Sequence, residues 1–262
     1  MYYEEQGAGA PVVLVHGLGG STAMWQLVAG PLAERFRVVA YDLRGLGRSS
    51  TPRPPYSVDL LAADLGGLLD ALELERATLV GHSLGGTVAL TYATVHPERV
   101  SSVVAVSAPS FTSPELRSGL AERGELARRD GMAAVAELHA QAGLPEDFRT
   151  ANPDVTAVYK QILGSGDPLG YAALCGVAVD LDAERLGQLT MPVLLVEGEL
   201  DRVVPPATVR ATAAAITGCR YVELEGCGHI VPLERPDELV ALIGEFVYEG
   251  LAKRGLGRRV VP

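Results

Sequence analysis

Five short apolar runs, separated by turns and by stretches of helical spacing, set the limits on what this chain can fold into. They are Pro11–Val15, Arg37–Tyr41, Ala77–Val80, Val100–Val106 and Pro192–Val196. Each is too short for a core helix and too continuously apolar for a half-exposed strand, so each reads as a strand buried on both faces. Tyr2-Tyr3-Glu4 and Tyr221-Val222-Glu223-Leu224 read as two further strands. Helical patterns fill the intervals. Leu61, Leu65, Leu68 and Leu72 fall at i, i+4, i+7 and i+11, an amphipathic stripe with Ser57 as its cap. Ser21 and Thr22 offer an N-cap for a helix carrying Trp25, Leu27, Val28 and Leu32. Strands alternating with helices predict an α/β protein whose mostly parallel sheet has helices on both faces.

That rhythm breaks near Ala108-Pro109. From Phe111 to about Asp182 the apolar runs vanish and helical spacing takes over, with Met132, Val135 and Leu138 on one such face. The densely charged stretch Glu115 to Arg129 reads as a solvated helix face. The expected organisation is a core from 1–110, a helical insertion at 111–182, the rest of the core at 183–252, and a basic, fraying tail at 253–262.

Composition narrows the partners. The chain has 262 residues, 48% of them hydrophobic, enough for one large core. A formal charge of −10 argues against nucleic acid or an anionic membrane. Cys175, Cys219 and Cys227 are odd in number and lack metal-ligand spacing, so neither a zinc site nor a disulfide framework is expected. No cofactor or metal motif is visible. Met1-Tyr2-Tyr3-Glu4-Glu5 has no secretory pattern, and no apolar run reaches the roughly 18 residues that span a bilayer. A cytoplasmic protein is the expectation. No apolar patch assigns an oligomeric interface.

The chemistry centres on Val80-Gly81-His82-Ser83-Leu84-Gly85-Gly86, a Gly-x-Ser-x-Gly pattern. In a nucleophile elbow a strand turns sharply into a helix and holds a serine in a sparsely populated backbone conformation. Glycines at 81 and 85 remove the bulk that such a turn cannot hold. By composition alone the pattern arises in roughly one chain in ten of this length. Its meaning depends on context, and here a strand precedes it and Gly86–Ala93 reads as the following helix.

A serine hydroxyl needs a base and a group that orients the base. Among five histidines, His229 alone lies in a glycine-flanked loop just after a late strand. His82 should turn away from the adjacent hydroxyl, His16 suits a structural bond in its Gly-rich loop, and His96 sits at a helix C-terminus. Asp201 follows a buried strand by a few residues and is the best acid, with Glu199 its rival; Asp42 more naturally shapes its own loop. The order Ser83, Asp201, His229 is the one expected for a nucleophile elbow. The oxyanion of a tetrahedral intermediate would take backbone N–H groups from Leu84, after the nucleophile, and Leu18, after the first buried strand.

Together, His16-Gly17-Leu18-Gly19, Asp42-Leu43-Arg44-Gly45-Leu46-Gly47-Arg48-Ser49, Gly81–Gly86, Gly198-Glu199-Leu200-Asp201 and Gly228-His229 resemble the α/β-hydrolase superfamily. The resemblance implies an eight-stranded, mostly parallel sheet, with the insertion as a cap over the site. Serine at 83 departs from the dehalogenase and epoxide hydrolase pattern, which has aspartate there. Ala23-Met24-Trp25, Pro54-Pro55-Tyr56-Ser57 and Gly166–Ala173 resemble the 3-oxoadipate enol-lactonase group. This implies a serine hydrolase acting on an ester or lactone of a small, largely apolar molecule. Trp25, His139, Tyr159 and Tyr171 are the candidate substrate-contacting residues, His139 on a helix surface or pocket wall of the insertion. A carboxylated lactone would need a cation, for which Arg149 and Lys160 are the candidates. Carbon–carbon bond hydrolysis of a diketone and perhydrolysis use the same triad, although Ile230-Val231-Pro232 lacks the aromatic associated with the former. A non-hydrolytic biosynthetic enzyme and a ligand receptor are the remaining readings.

Overall fold

The computed structural model describes residues 1–253. Seven strands form one sheet: β1 (Tyr3–Gln6), β2 (Pro11–Val15), β3 (Arg37–Tyr41), β4 (Ala77–His82), β5 (Val100–Val106), β6 (Val193–Gly198) and β7 (Arg220–Leu224). Their order is β1-β3-β2-β4-β5-β6-β7. Only β1 runs antiparallel to its neighbour. The expected eighth strand is absent among the described residues. After β7 the chain returns to helical spacing, with Leu239, Ile243 and Phe246 buried along one helix, so the sheet ends there.

Alternation along the buried strands divides the core in two. Val12, Leu14, Val80, Val104 and Leu194 face one side, beneath α1 (Ala29–Ala33). Val13, Val15, Leu79, Val103 and Leu195 face the other, against α2 (Val58–Ala71). Leu61, Leu65 and Leu69 of α2 are fully buried, each contributing about 2 kcal/mol of apolar transfer. The helix foreseen around Trp25 is broken. Ser21 caps a short 3-10 turn, Thr22–Trp25, and α1 begins only at Ala29. Gly30 and Pro31 account for this, because proline lacks the N–H of a continuous helix and collides with the preceding turn.

Helix α3 (Leu84–Val95) leaves β4 at the Gly-x-Ser-x-Gly turn. Between β5 and β6 lie α4 (Pro114–Asp130), α5 (Met132–Gly143), α6 (Glu146–Ala151), α7 (Pro153–Gly164), α8 (Pro168–Cys175) and α9 (Ala183–Gly187). Helix α10 (Pro206–Ala215) joins β6 to β7, and α11 (Val231–Glu234) and α12 (Pro236–Lys253) end the described chain. Except for Lys253, the basic tail expected at 253–262 lies outside the described residues. No described helix is long and apolar enough to cross a membrane.

Candidate active site

Ser83 sits at the tip of the turn between β4 and α3 with φ 52° and ψ −122°, a region that side chains rarely occupy. The surroundings fix it there. Its N–H donates to the Val106 carbonyl at 2.8 Å, and its own carbonyl accepts from Gly86 at 2.9 Å. A Cβ on Gly85 would overlap the Val15 carbonyl oxygen, and one on Gly81 the Gly85 carbonyl. The strand and helix can approach this closely only without side chains at those two positions.

Three segments then converge. His229 lies in the loop after β7, and its Nε2 is 3.2 Å from Ser83 Oγ. Its Nδ1 is 2.6 Å from Asp201 Oδ2. Asp201 sits in the turn after β6, where its Oδ1 accepts from the Val203 and Val204 N–H groups at 2.7 and 2.9 Å. Burial opposes its charge, but His229 and these hydrogen bonds outweigh it and hold the carboxyl below its ordinary value. An ionised Asp201 accepts a hydrogen bond from His229 Nδ1–H, which leaves Nε2 free to accept from the serine hydroxyl. Leu18 and Leu84 flank Ser83 in the cavity, and neither backbone N–H has a protein acceptor among the described residues.

Supporting groups place the loops. His82 Nε2 is 2.8 Å from the His229 carbonyl. Burial, then the neighbouring His229, push His82 down to about 3, so it is neutral and donates that bond. His16 accepts from Leu43 N–H through Nε2 at 3.0 Å, and burial holds it below the ordinary histidine value. Asp42 accepts from the Thr22 and Arg48 N–H groups and so shapes its own loop. Glu199 is exposed and accepts from Gly226 N–H, away from His229.

The structure separates the four residues expected at the substrate. His139 and Tyr159 line the cavity that opens over Ser83. Trp25 and Tyr171 do not. Trp25 is fully buried with Val12, Leu14 and Leu32 beneath the sheet, and Tyr171 is fully buried, its ring against Gly19. Both aromatics fill core volume that smaller side chains would leave empty. Arg149 is tied to the Gln141 and Leu144 carbonyls and Lys160 to Glu137, so neither cation reaches the cavity.

Three polar residues of the site went unread in the sequence. Arg123 lines the cavity from α4. Its signal is positional, since Leu116, Leu120, Arg123 and Ala127 lie at i, i+4, i+7 and i+11 of an otherwise charged helix. Glu234 accepts from the Gly228 and Ile230 N–H groups at 2.7 and 2.8 Å, clamping the loop on either side of His229. Burial pushes its carboxyl up to about 7 against those two bonds. Glu197, at the end of β6, is wholly buried. Its Oε1 accepts from Gly198 N–H at 3.0 Å and Ser107 Oγ at 3.2 Å, and its protonated carboxyl donates to Asp201. Burial, then the Asp201 carboxylate, push Glu197 far above the usual range, so it carries a proton at neutral pH.

A pH-dependent test follows for Glu197. An acid whose folded value is raised contributes stability fully below its unfolded value of about 4.3 and loses it as pH rises toward the folded value. The loss is up to about 1.4 kcal/mol per pH unit. Glu197→Gln keeps the neutral shape and removes this titration. Its melting temperature relative to the natural chain is expected to climb steadily from pH 5 to pH 8, with kcat/KM changed less than about threefold. A constant difference across that range would contradict a neutral Glu197.

Residues 10–236 match the family model of the alpha/beta hydrolase fold, and the chain belongs to that family of hydrolases. Among curated proteins it is 29% identical over 228 residues to 3-oxoadipate enol-lactonase 2 of Acinetobacter baylyi, covering 86% of this chain and 84% of that one. The enol-lactonase from Burkholderia xenovorans superposes with a TM-score of 0.88 at 32% identity, covering 94% and 95% of the two chains. A thermophilic esterase from Thermogutta terrifontis gives 0.89 at 30%, covering 95% and 93%.

Proposed function

We propose that this hydrolase cleaves an ester or lactone bond of a small, largely apolar molecule through an acyl-enzyme on Ser83. The observation that carries the reading is the unbroken line of contacts from Ser83 Oγ through His229 to Asp201, at the base of a mainly apolar cavity. Ser83 Oγ attacks the carbonyl carbon as its proton passes to His229 Nε2. Asp201 holds the Nδ1 proton and stabilises the imidazolium. The carbonyl oxygen becomes an oxyanion facing the Leu18 and Leu84 N–H groups, the latter at the positive end of α3. His229 returns the proton to the departing oxygen as the carbon–oxygen bond breaks. Water, deprotonated by the same Nε2, then releases the carboxylic acid and restores Ser83. The helices between β5 and β6 close over this chemistry, with Leu116, Leu120 and Leu163 supplying the apolar wall.

The likeness to enol-lactonases and an esterase supports bonds of this class. Ile230 and Val231 after His229 are both buried and stand where carbon–carbon hydrolases are associated with an aromatic, which favours the ester or lactone reading. The test is a panel of lactones, aryl esters, methyl esters and vinylogous diketones, with Ser83→Ala as the blank. Turnover of esters or lactones by the natural chain alone is expected. Turnover confined to diketones would overturn the reading.

A further inference from the structure

We infer that Glu234 is a positioning residue for the hydrolysis, and that its carboxylate must be ionised to hold His229 in line with Ser83 and Asp201. The inference rests on the Ser83 hydrolase reading and adds a second ionisation on which that reaction depends. Two N–H groups flank His229, and one carboxyl group takes both. Gly228 N–H donates to Glu234 Oε2 at 2.7 Å, and Ile230 N–H to Oε1 at 2.8 Å. The groups between them are committed elsewhere. His229 N–H donates to the Gly143 carbonyl at 2.8 Å, and the His229 carbonyl accepts from His82 Nε2 at 2.8 Å. The fit leaves little slack, since a Cβ on Gly228 would lie 2.5 Å from Pro145 Cδ, 2.6 Å from the Gly143 carbonyl oxygen and 3.0 Å from Glu234 Oε1. Glu234 stands outside the residues that line the cavity, so it acts through His229 and not on the substrate.

Both bonds need the charge. A carboxylate accepts on each oxygen, whereas a protonated carboxyl keeps one carbonyl oxygen and turns the other into a hydroxyl. One of the two N–H groups then loses a full acceptor. Gly228, Ile230 and Glu234 are all buried, so bulk water does not replace it. The loop loosens at the residue whose ring must stay 3.2 Å from Ser83 Oγ and 2.6 Å from Asp201 Oδ2. Misplacing a reacting group by about 1 Å costs roughly 100-fold in rate. Burial pushes Glu234 up to about 7, so the clamp is complete above that pH and half lost below it. The titratable groups facing Glu234 are His229 and Cys227 of its own loop, Asp201 of the turn after β6 and Tyr159 of α7. Burial pushes Cys227 and Tyr159 upward, so both stay neutral, while Asp201 stays ionised. His139 of α5, with its ring centroid 6.2 Å from that of His229, is held well below the ordinary histidine value and stays neutral as well. The turn Thr22–Trp25 packs on α11 without a titratable group, and Glu238 of α12 is exposed and paired with Arg235.

The test compares the natural chain with Glu234→Gln on p-nitrophenyl acetate from pH 5.5 to pH 8.5. Glutamine keeps the volume but offers one acceptor at every pH, as the protonated acid does. At pH 8.5 the kcat/KM of the variant is expected to lie roughly 10- to 100-fold below that of the natural chain. The gap should close as the pH falls through about 7, to less than about threefold at pH 5.5. His229 is the base in both chains, so its own protonation cancels in this ratio. A gap of constant size at every pH would make Glu234 a brace indifferent to its charge and overturn the inference. A variant as fast as the natural chain at pH 8.5 would overturn it too. If Glu234→Gln does not fold, NMR of the natural chain carries the test. The Glu234 carboxyl carbon and the Gly228 and Ile230 amide protons should titrate together with a midpoint at about 7. A carboxyl carbon that keeps its ionised shift down to pH 5.5 overturns the inference equally. Failure of the underlying reading looks different: the natural chain turns over no ester at any pH and Ser83 takes up no phosphonate.

Discussion

Alanine in place of Ser83 is expected to lower kcat/KM on activated esters by roughly four to six powers of ten, with the fold intact. The size of the effect follows from geometry. Among the described residues His229 Nε2, at 3.2 Å, is the basic group in reach of the Ser83 hydroxyl, and the proposed mechanism sends its proton there as it attacks. Removing Oγ deletes nucleophile and proton together. The cavity and the Leu18 and Leu84 N–H groups persist, so a small residual rate over water should survive. Steady-state kinetics with circular dichroism checks both parts. A variant retaining more than about one per cent of activity would contradict the assignment.

Asp201→Asn is expected to cost roughly four powers of ten in kcat while leaving the structure in place. Asparagine can keep the bonds from Val203 and Val204 N–H through its carbonyl oxygen, the role Oδ1 plays now. Its amide nitrogen then faces His229 Nδ1, where a carboxylate oxygen now accepts at 2.6 Å. A donor in that place moves the ring proton to Nε2, and the imidazole can no longer take the Ser83 proton. The pH profile of the variant, together with its melting curve, separates this from simple destabilisation. Loss of melting stability in proportion to activity would show that Asp201 acts only as a brace for its turn.

Much of the architecture could be read from the residues because the relevant forces are local. A run such as Pro11–Val15 is apolar on both faces and bounded by turns, and it forms a strand with those limits. The convergence of Ser83, Asp201 and His229 was foreseeable for a related reason. Glycines at 81, 85, 198 and 228 mark close approaches, and each places a reactive side chain at a strand end. What escaped depends on distant partners. Glu197 is an acid after four apolar residues until Ser107, 90 positions away, is brought against it. Arg123 stands in a run of charges and looks solvated, until α4 packs against α8 and turns that position inward. Trp25 and Tyr171 show the opposite error, since an aromatic that fills a core and one that lines a cavity have the same sequence signature. The eight-strand expectation came from resemblance, whereas the residues themselves contain the seven segments that pair.

The central claim is that Ser83 is the nucleophile and that His229 activates it. Its most direct test is intact-protein and peptide mass spectrometry after exposure to a p-nitrophenyl phosphonate. One adduct per chain is expected, on the peptide that contains Ser83, with labelling slowed by orders of magnitude in His229→Ala and absent in Ser83→Ala. An adduct on any other residue, or undiminished labelling of the Ser83→Ala chain, would contradict the account.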